Sequence, residues 1–158
     1  MANQDKILIT KDGLENLKKE YQRLTEVRRP EAVERMAQAR MMGDLAENNE
    51  YTSAKEDLVF VDGRIEELEK VIDHAALIDS AHKNCQAVNP GCRVTVVVKG
   101  GKEECVYWLV GNWEADPVIK KISYESPLGK SLLGKKVGDQ VEIEAPAGKI
   151  IYAIKKID

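Results

Sequence analysis

The chain has 158 residues, 43% of them hydrophobic and 32% charged, with two Trp, five Tyr and one Phe. This is one or two domains' worth of sequence with enough apolar material to exclude a disordered chain, although it is unusually charged for a single packed globule. A formal net charge of −3 and no apolar run near the roughly 20 residues a bilayer needs exclude a membrane protein, and without a basic segment leading into an apolar stretch and a cleavage site a cytoplasmic location is expected.

Charge and texture both change at the midpoint. Residues 1–79 carry 12 basic and 18 acidic side chains, a net −6; residues 80–158 carry 12 and 9, a net +3. Residues 10–79 hold one proline and few β-branched residues, whereas 88–157 are rich in Val, Ile, Gly and Pro. Two domains, 1–79 and 80–158, are expected.

The first half reads as a helical hairpin. Leu14, Leu17, Tyr21, Leu24 and Val27 form an apolar stripe that resumes at Val33, Met36 and Ala37. Between them lies Pro30, which has no amide proton and crowds the preceding turn, so the helix is expected to bend there. From Tyr51 a second stripe runs through Ala54, Leu58, Val61, Ile65, Leu68 and Ile72 at alternating spacings of 3 and 4. The segment from Met41 to Glu50 has room only for a reversal, so the two helices are antiparallel neighbours. At about 1.5 Å per residue the first helix makes an arm on the order of 40 Å, with an acidic tip at 43–48. A probe reaching into another molecule and a purely structural coiled coil both satisfy this pattern.

The second half reads as a small α+β unit. Strands are expected at Arg93–Val98, Glu103–Val110, Ile119–Ser123, Val141–Ala145 and Ile150–Ile157, forming an antiparallel sheet. Lys99-Gly100-Gly101-Lys102 and Pro146-Ala147-Gly148 supply hairpin turns. A short helix starts at Ser126-Pro127, serine capping and proline in the first turn, and ends at Gly134.

Enzyme chemistry has little support. With only His74 and His82 available, no nucleophile can be matched to a base. Cys85, Cys92 and Cys105 are odd in number and irregular in spacing, which argues against a disulfide framework; with His82 they also lack the paired spacing of a zinc site. No glycine cluster fits a phosphate loop. What remains is Asp44 and Glu47 at the tip. Two carboxylates three residues apart can converge on a hard cation such as Mg²⁺, which takes one or two such oxygens with water and phosphate. The same Asp-x-x-Glu pattern is also a capping box for the next helix, with Gly43 closing the previous one. Asp44→Asn separates the two, because asparagine caps nearly as well but is no anionic ligand.

Several longer motifs are more specific: Val27-Arg28-Arg29-Pro30-Glu31, Gly43-Asp44-Leu45-Ala46-Glu47-Asn48 with Glu50-Tyr51, Glu114-Ala115-Asp116-Pro117, Glu125-Ser126-Pro127-Leu128-Gly129, and Leu133-Gly134-Lys135-Lys136-Val137-Gly138-Asp139. In this order, over nearly the whole chain, they resemble the GreA/GreB family of bacterial transcription elongation (transcript cleavage) factors. The resemblance implies an N-terminal coiled-coil hairpin, an FKBP-like C-terminal domain, and RNA polymerase as partner, entered through its secondary channel. It further implies that Asp44 and Glu47 help hold a Mg²⁺ shared with the polymerase, which cleaves backtracked nascent RNA. The factor itself is then no enzyme and binds no cofactor alone. Gly43, Leu45, Asn48 and Tyr51 are expected to support the tip, Asn48 either bracing the loop or simply beginning the second helix. Arg28, Arg29 and Arg40 are candidate RNA contacts, and Glu125, Ser126 and Pro127 the implied polymerase-docking loop. Ala46 and Asn49 depart from the commonest family pattern without removing a carboxylate. A monomer is expected, with DNA approached only through the polymerase. The alternatives are a channel-binding regulator that does not stimulate cleavage, and a coiled-coil adaptor or chaperone.

Overall fold

The computed structural model describes residues 6–43, 48–78 and 85–158. The chain forms two compact units, one of Leu14–Ala75 and one joining Lys6–Gly13 to Ala76–Asp158.

The first unit is an antiparallel helical hairpin. Its first arm is α1 (Lys11–Arg23, starting in the other unit), a π turn (Leu24–Arg28) and α2 (Arg29–Met41); the second arm is α3 (Asn49–Asp73). Antiparallel pairing shows in the cross-links: Tyr21 donates to Glu69 at 2.8 Å and Glu20 pairs with Arg64 at 2.8 Å, while further along the first arm Arg29 pairs with Asp62 at 2.7 Å and Arg35 with Glu50 at 2.8 Å. The helix runs through Pro30 without restarting: Arg23, Arg28 and Arg29 all keep helical dihedrals. In a plain α ladder the Pro30 ring would crowd the carbonyl of Glu26. Here the Arg29 amide instead donates to Leu24 O, five residues back, and Thr25 Oγ1 donates to Tyr21 O at 2.6 Å. The wider turn takes up one extra residue. Counting on from Leu24, the partner face is therefore reached at Ala32, Met36 and Ala39, and it is Ala32 and Ala39 that are buried. Val27, Val33 and Ala37, expected on that face, are exposed. In α3 the buried positions are Ala54, Val61, Ile65, Leu68 and Val71, so the stripe ends on Val71 where Ile72 was expected.

The second unit holds two sheets. Short strands β1 (Ile7–Ile9) and β2 (Ala75–Leu77) pair with each other, an element the sequence pattern did not announce, and they place the chain's first strand with its C-terminal half. The larger sheet has strands β3 (Arg93–Val98), β4 (Glu104–Val110), β5 (Lys121–Ser123), β6 (Gln140–Ala145) and β7 (Gly148–Ile157) in the order β5-β4-β3-β7-β6. It is mixed and not, as expected, wholly antiparallel: β5 lies parallel to β4, Trp108 opposite Lys121 and Val110 opposite Ser123. The reason is the connection, where two 3₁₀ turns, Asn112–Glu114 and Pro117–Ile119, carry the chain back before β5 starts. They also shorten that strand, since Ile119 belongs to a turn. The glycine turns behave as expected, with Gly100 and Gly148 at φ 86 and 121.

One face of the sheet is the core: Val94, Val96, Leu109, Val141 and Ile154 are buried with Val88 and with Leu132 of α4 (Pro127–Leu132). Gly129 allows that close packing, because a Cβ there would stand 2.1 Å from Ser123 O. Cys85 and Cys92 form a disulfide, contrary to the expectation of free thiols. The turn in which the Cys92 amide donates to Asn89 O brings the chain back, so that the two Cα atoms lie 6.8 Å apart. Cys105 stays free and packs against the core.

Candidate functional site

The tip is built by the two helix ends that border it. Helix α2 closes at Met42, whose amide donates to Ala39 O, and the next residue, Gly43, sits at φ 139 with open space around it, the left-handed region glycine adopts without penalty. On the other side Asn48 is the N-cap of α3. Its Oδ1 accepts from the Tyr51 amide at 3.1 Å while its Nδ2 donates to Ala39 O at 2.7 Å. One amide side chain thus satisfies an orphan donor of α3 and a terminal carbonyl of α2, tying the arms together where the loop departs. Of the two readings of Asn48, it does begin the second helix, as its cap; bracing of residues 44–47 lies outside the described residues. Tyr51 is half-buried beside it.

Asp44, Leu45, Ala46 and Glu47 lie outside the described residues, as does His82. The cap geometry still bears on the two acids. α3 starts at Asn49 with Asn48 as its cap, whereas the capping-box pattern pointed to Asp44 for that place. Among the described residues no group of three or more His, Cys, Asp or Glu could hold a metal ion.

The candidate RNA-contacting arginines divide. Arg28 pairs with Glu31 at 3.3 Å and lies 4.0 Å from Asp57, and Arg29 pairs with Asp62, so both are engaged by carboxylates of the hairpin itself. Arg40 is exposed in the last turn of α2, at the tip end of the hairpin.

In the globular unit the loop of Glu125, Ser126 and Pro127, expected from the resemblance to dock on a polymerase, is bonded through its own polar groups. The Ser126 hydroxyl accepts from the Gly129 amide at 3.0 Å as the cap of α4 and donates to Ser123 O at 2.7 Å. Asn112 bridges Glu125 and Ser123, donating to one and accepting from the other. Glu125 and Pro127 are exposed. The same 3₁₀ turn carries a residue that sequence reasoning missed as an anchor: Glu114 accepts from the Thr10 amide at 2.8 Å and from the Thr10 hydroxyl, which in turn accepts from the Gly13 amide at 3.1 Å. The first turn of α1 is thereby capped from the far end of the sequence. The chain comes so close that a Cβ on Gly111 would stand 2.0 Å from Leu8 O.

Comparison with known proteins covers both halves. Residues 7–77 match the family "Transcription elongation factor, N-terminal" and residues 83–158 match "Transcription elongation factor, GreA/GreB, C-term". Transcription elongation factor GreA of Thermoanaerobacter pseudethanolicus is 46% identical over 96% of this chain and 96% of its own length. GreA of Caldanaerobacter subterraneus subsp. tengcongensis is 44% identical over the same shares. Among solved structures, GreA factor homolog 1 of Thermus thermophilus aligns over 97% of this chain and 99% of its own at 26% identity, with a TM-score of 0.45. With both family domains present in order and near-complete coverage of its relatives, this chain belongs to the GreA/GreB family of transcription elongation factors.

Proposed function

We propose that this elongation factor binds RNA polymerase through its secondary channel and stimulates the polymerase's own cleavage of backtracked nascent RNA, releasing arrested complexes. Asp44 and Glu47 are the residues that would hold a Mg²⁺ shared with the polymerase. Carboxylate oxygens are the donors this ion takes together with water and phosphate, so the residues fit it in kind. When bound, the ion supplies Lewis-acid stabilisation of charge at the phosphodiester. The chain's own part is to present the two carboxylates between Gly43 and Asn48, and to dock through Glu125, Ser126 and Pro127. Arg40 is the cation best placed to meet an RNA phosphate. The polymerase remains the enzyme, and the setting is the cytoplasm.

The observation that carries this reading is the capping of α3 by Asn48. Asn48 is the N-cap of α3, so the cap of that helix is accounted for by a residue other than Asp44, which favours the ligand reading of the Asp44-x-x-Glu47 pattern over the capping-box reading. The test is a backtracked elongation complex with 5′-labelled RNA, given Mg²⁺ and protein. Wild type is expected to shorten the RNA, while Asp44→Asn and the Asp44→Ala/Glu47→Ala double variant are expected to melt like wild type and to stimulate nothing. Equal stimulation by the double variant would overturn the proposal. Binding to the polymerase without any stimulation by wild type would instead identify a channel-binding regulator.

A further inference from the structure

The disulfide between Cys85 and Cys92 is used by neither the tip nor the loop of Glu125, Ser126 and Pro127. It closes a strap of the globular unit, residues 85–92, across a sequence separation of 7. At its far end the strap is joined to β4: the Gly91 amide donates to Leu109 O at 2.7 Å, the Gly91 carbonyl accepts from the Trp108 indole at 3.2 Å, and the Cys92 carbonyl accepts from the Leu109 amide at 3.0 Å. In its middle it clasps the end of α4. Val88 is fully buried in the same core as Leu132. Its amide donates to Lys135 O at 2.8 Å and its carbonyl accepts from the Gly134 amide at 2.8 Å, the two residues that follow the Leu133 cap of that helix. At the start of the strap stands the sulfur bridge.

The two sulfurs differ in access. Cys92 is buried at 4% exposure, whereas Cys85 is half-exposed and followed by an exposed Gln86. Thiol exchange goes through the sulfur an incoming thiolate can reach, which here is that of Cys85. The bond also closes only a short loop, so it restrains the unfolded chain less than a long-range bridge would. The buried set of Val88, Val94, Val96, Leu109, Leu132, Val141 and Ile154 contains neither sulfur, so the fold outlives the opening of the bond. In a thiol-rich compartment, such as the cytoplasm proposed above, a disulfide within reach of thiols is exchanged and not permanent.

We infer that Cys85–Cys92 is an exchange site for low-molecular-weight thiols, opened and closed in the folded protein, and that its state sets how tightly Val88 clasps the end of α4. A thiolate of the small thiol attacks Cys85 Sγ; a mixed disulfide forms there as the Cys85–Cys92 bond breaks, and the electron pair leaves on Cys92 Sγ, which takes up a proton. A second thiolate attacks the small molecule's sulfur in the mixed disulfide and departs with it as the small-molecule disulfide, while the released Cys85 thiolate is protonated in turn. Two small thiols are oxidised and the protein disulfide is reduced to two thiols; the reverse needs only a small-molecule disulfide as oxidant. With the bond open the strap keeps its anchorage to β4, and Val88 parts more often from Gly134 and Lys135. Neither the role proposed for the tip nor that of the docking loop enters this inference.

The full chain equilibrated in reduced and oxidised glutathione at varied ratios, then quenched with acid, alkylated in denaturant and weighed by mass spectrometry, tests it. Of the three cysteines, only Cys105 is expected to be alkylated at oxidising ratios and all three at reducing ones, with unchanged circular dichroism. Cys92→Ala is expected to collect glutathione on Cys85, and Cys85→Ala to collect it on Cys92 about tenfold more slowly or less, as access requires. In hydrogen exchange the Val88 and Gly134 amides are expected to exchange about tenfold faster or more in the reduced chain and in Cys85→Ala, while the Ile154 amide in the sheet keeps its rate. A bond that stays closed until denaturant unfolds the chain, three alkylated cysteines at every ratio, glutathione collecting as fast on Cys92 as on Cys85, or equal exchange of the Val88 and Gly134 amides in the open and closed forms, each overturns the inference.

Discussion

Asn48 makes two bonds in different directions, and its variants should separate them. Asn48→Ala removes the acceptor for the Tyr51 amide and the donor to Ala39 O, and should cost the hairpin about 1–2 kcal/mol, read by urea or thermal unfolding. Asn48→Asp keeps the cap and loses the donor, so its melting should fall between wild type and Asn48→Ala. Stimulation of cleavage should fall in the same order although both tip carboxylates remain. In the sequence this cap was masked by a better-known pattern: Asp44-x-x-Glu47 reads as a capping box, whereas Asn48 is followed at the third position by Tyr51, which cannot return the bond. Tyr107 offers a second test. It stands edge-on to Tyr152, with ring centroids 6.4 Å apart, and burial pushes its hydroxyl up to about 12 from an ordinary 10.0. The unfolded chain therefore releases this proton first as pH rises, and the native state binds more protons between about 10 and 12, so stability falls across that window. Tyr107→Phe should flatten the loss, measured as the melting temperature against pH from 9 upward at about unit intervals.

Among the elements, glycines show how much a single hydrogen's worth of space decides. Gly129→Ala would force a methyl group against the carbonyl of Ser123 and should destabilise the globular unit by roughly 1–3 kcal/mol, the usual cost of overpacking. Gly63→Ala, on the exposed side of α3 with nothing within 4 Å, should raise stability by about 0.5–1 kcal/mol, the difference in helix propensity. Denaturant midpoints of the two variants should move in opposite directions. The glycine turns, the Ser126 cap, the α3 stripe from Ala54 to Leu68 and the start of the first stripe at Leu17 were legible because each leaves a mark within a few consecutive residues. Three features were not. The π turn at Leu24–Arg28 obeys no local composition rule and shows itself only by shifting the buried positions to Ala32 and Ala39. The parallel pairing of β4 with β5 depends on how the chain returns through residues 111–120. Strands β1 and β2 are three residues each, too short for an alternation to register.

For the molecule as a whole, each unit has its own buried set, Ala54, Val61, Ile65 and Leu68 in the hairpin and Val94, Val96, Leu109 and Ile154 in the globular unit. Calorimetry should then resolve two transitions, Asn48→Ala lowering only one and Gly129→Ala only the other; a single transition moved alike by both variants would show one cooperative unit. The change in charge and texture falls between residues 79 and 80, while the two compact units part at Ala75/Ala76. The membership of Lys6–Gly13 in the C-terminal unit was not legible, because the bonds that secure it, from Thr10 to Glu114 and between β1 and β2, join residues far apart in the chain. That stitch bears on the order in which the protein is made. Ile7–Ile9 leave a ribosome before their partner strand β2, which emerges only after the entire hairpin, and the Glu114 carboxylate that holds Thr10 comes later still. The rod can zip up during translation while β1 waits, so a segment made before the rod finds its place after it.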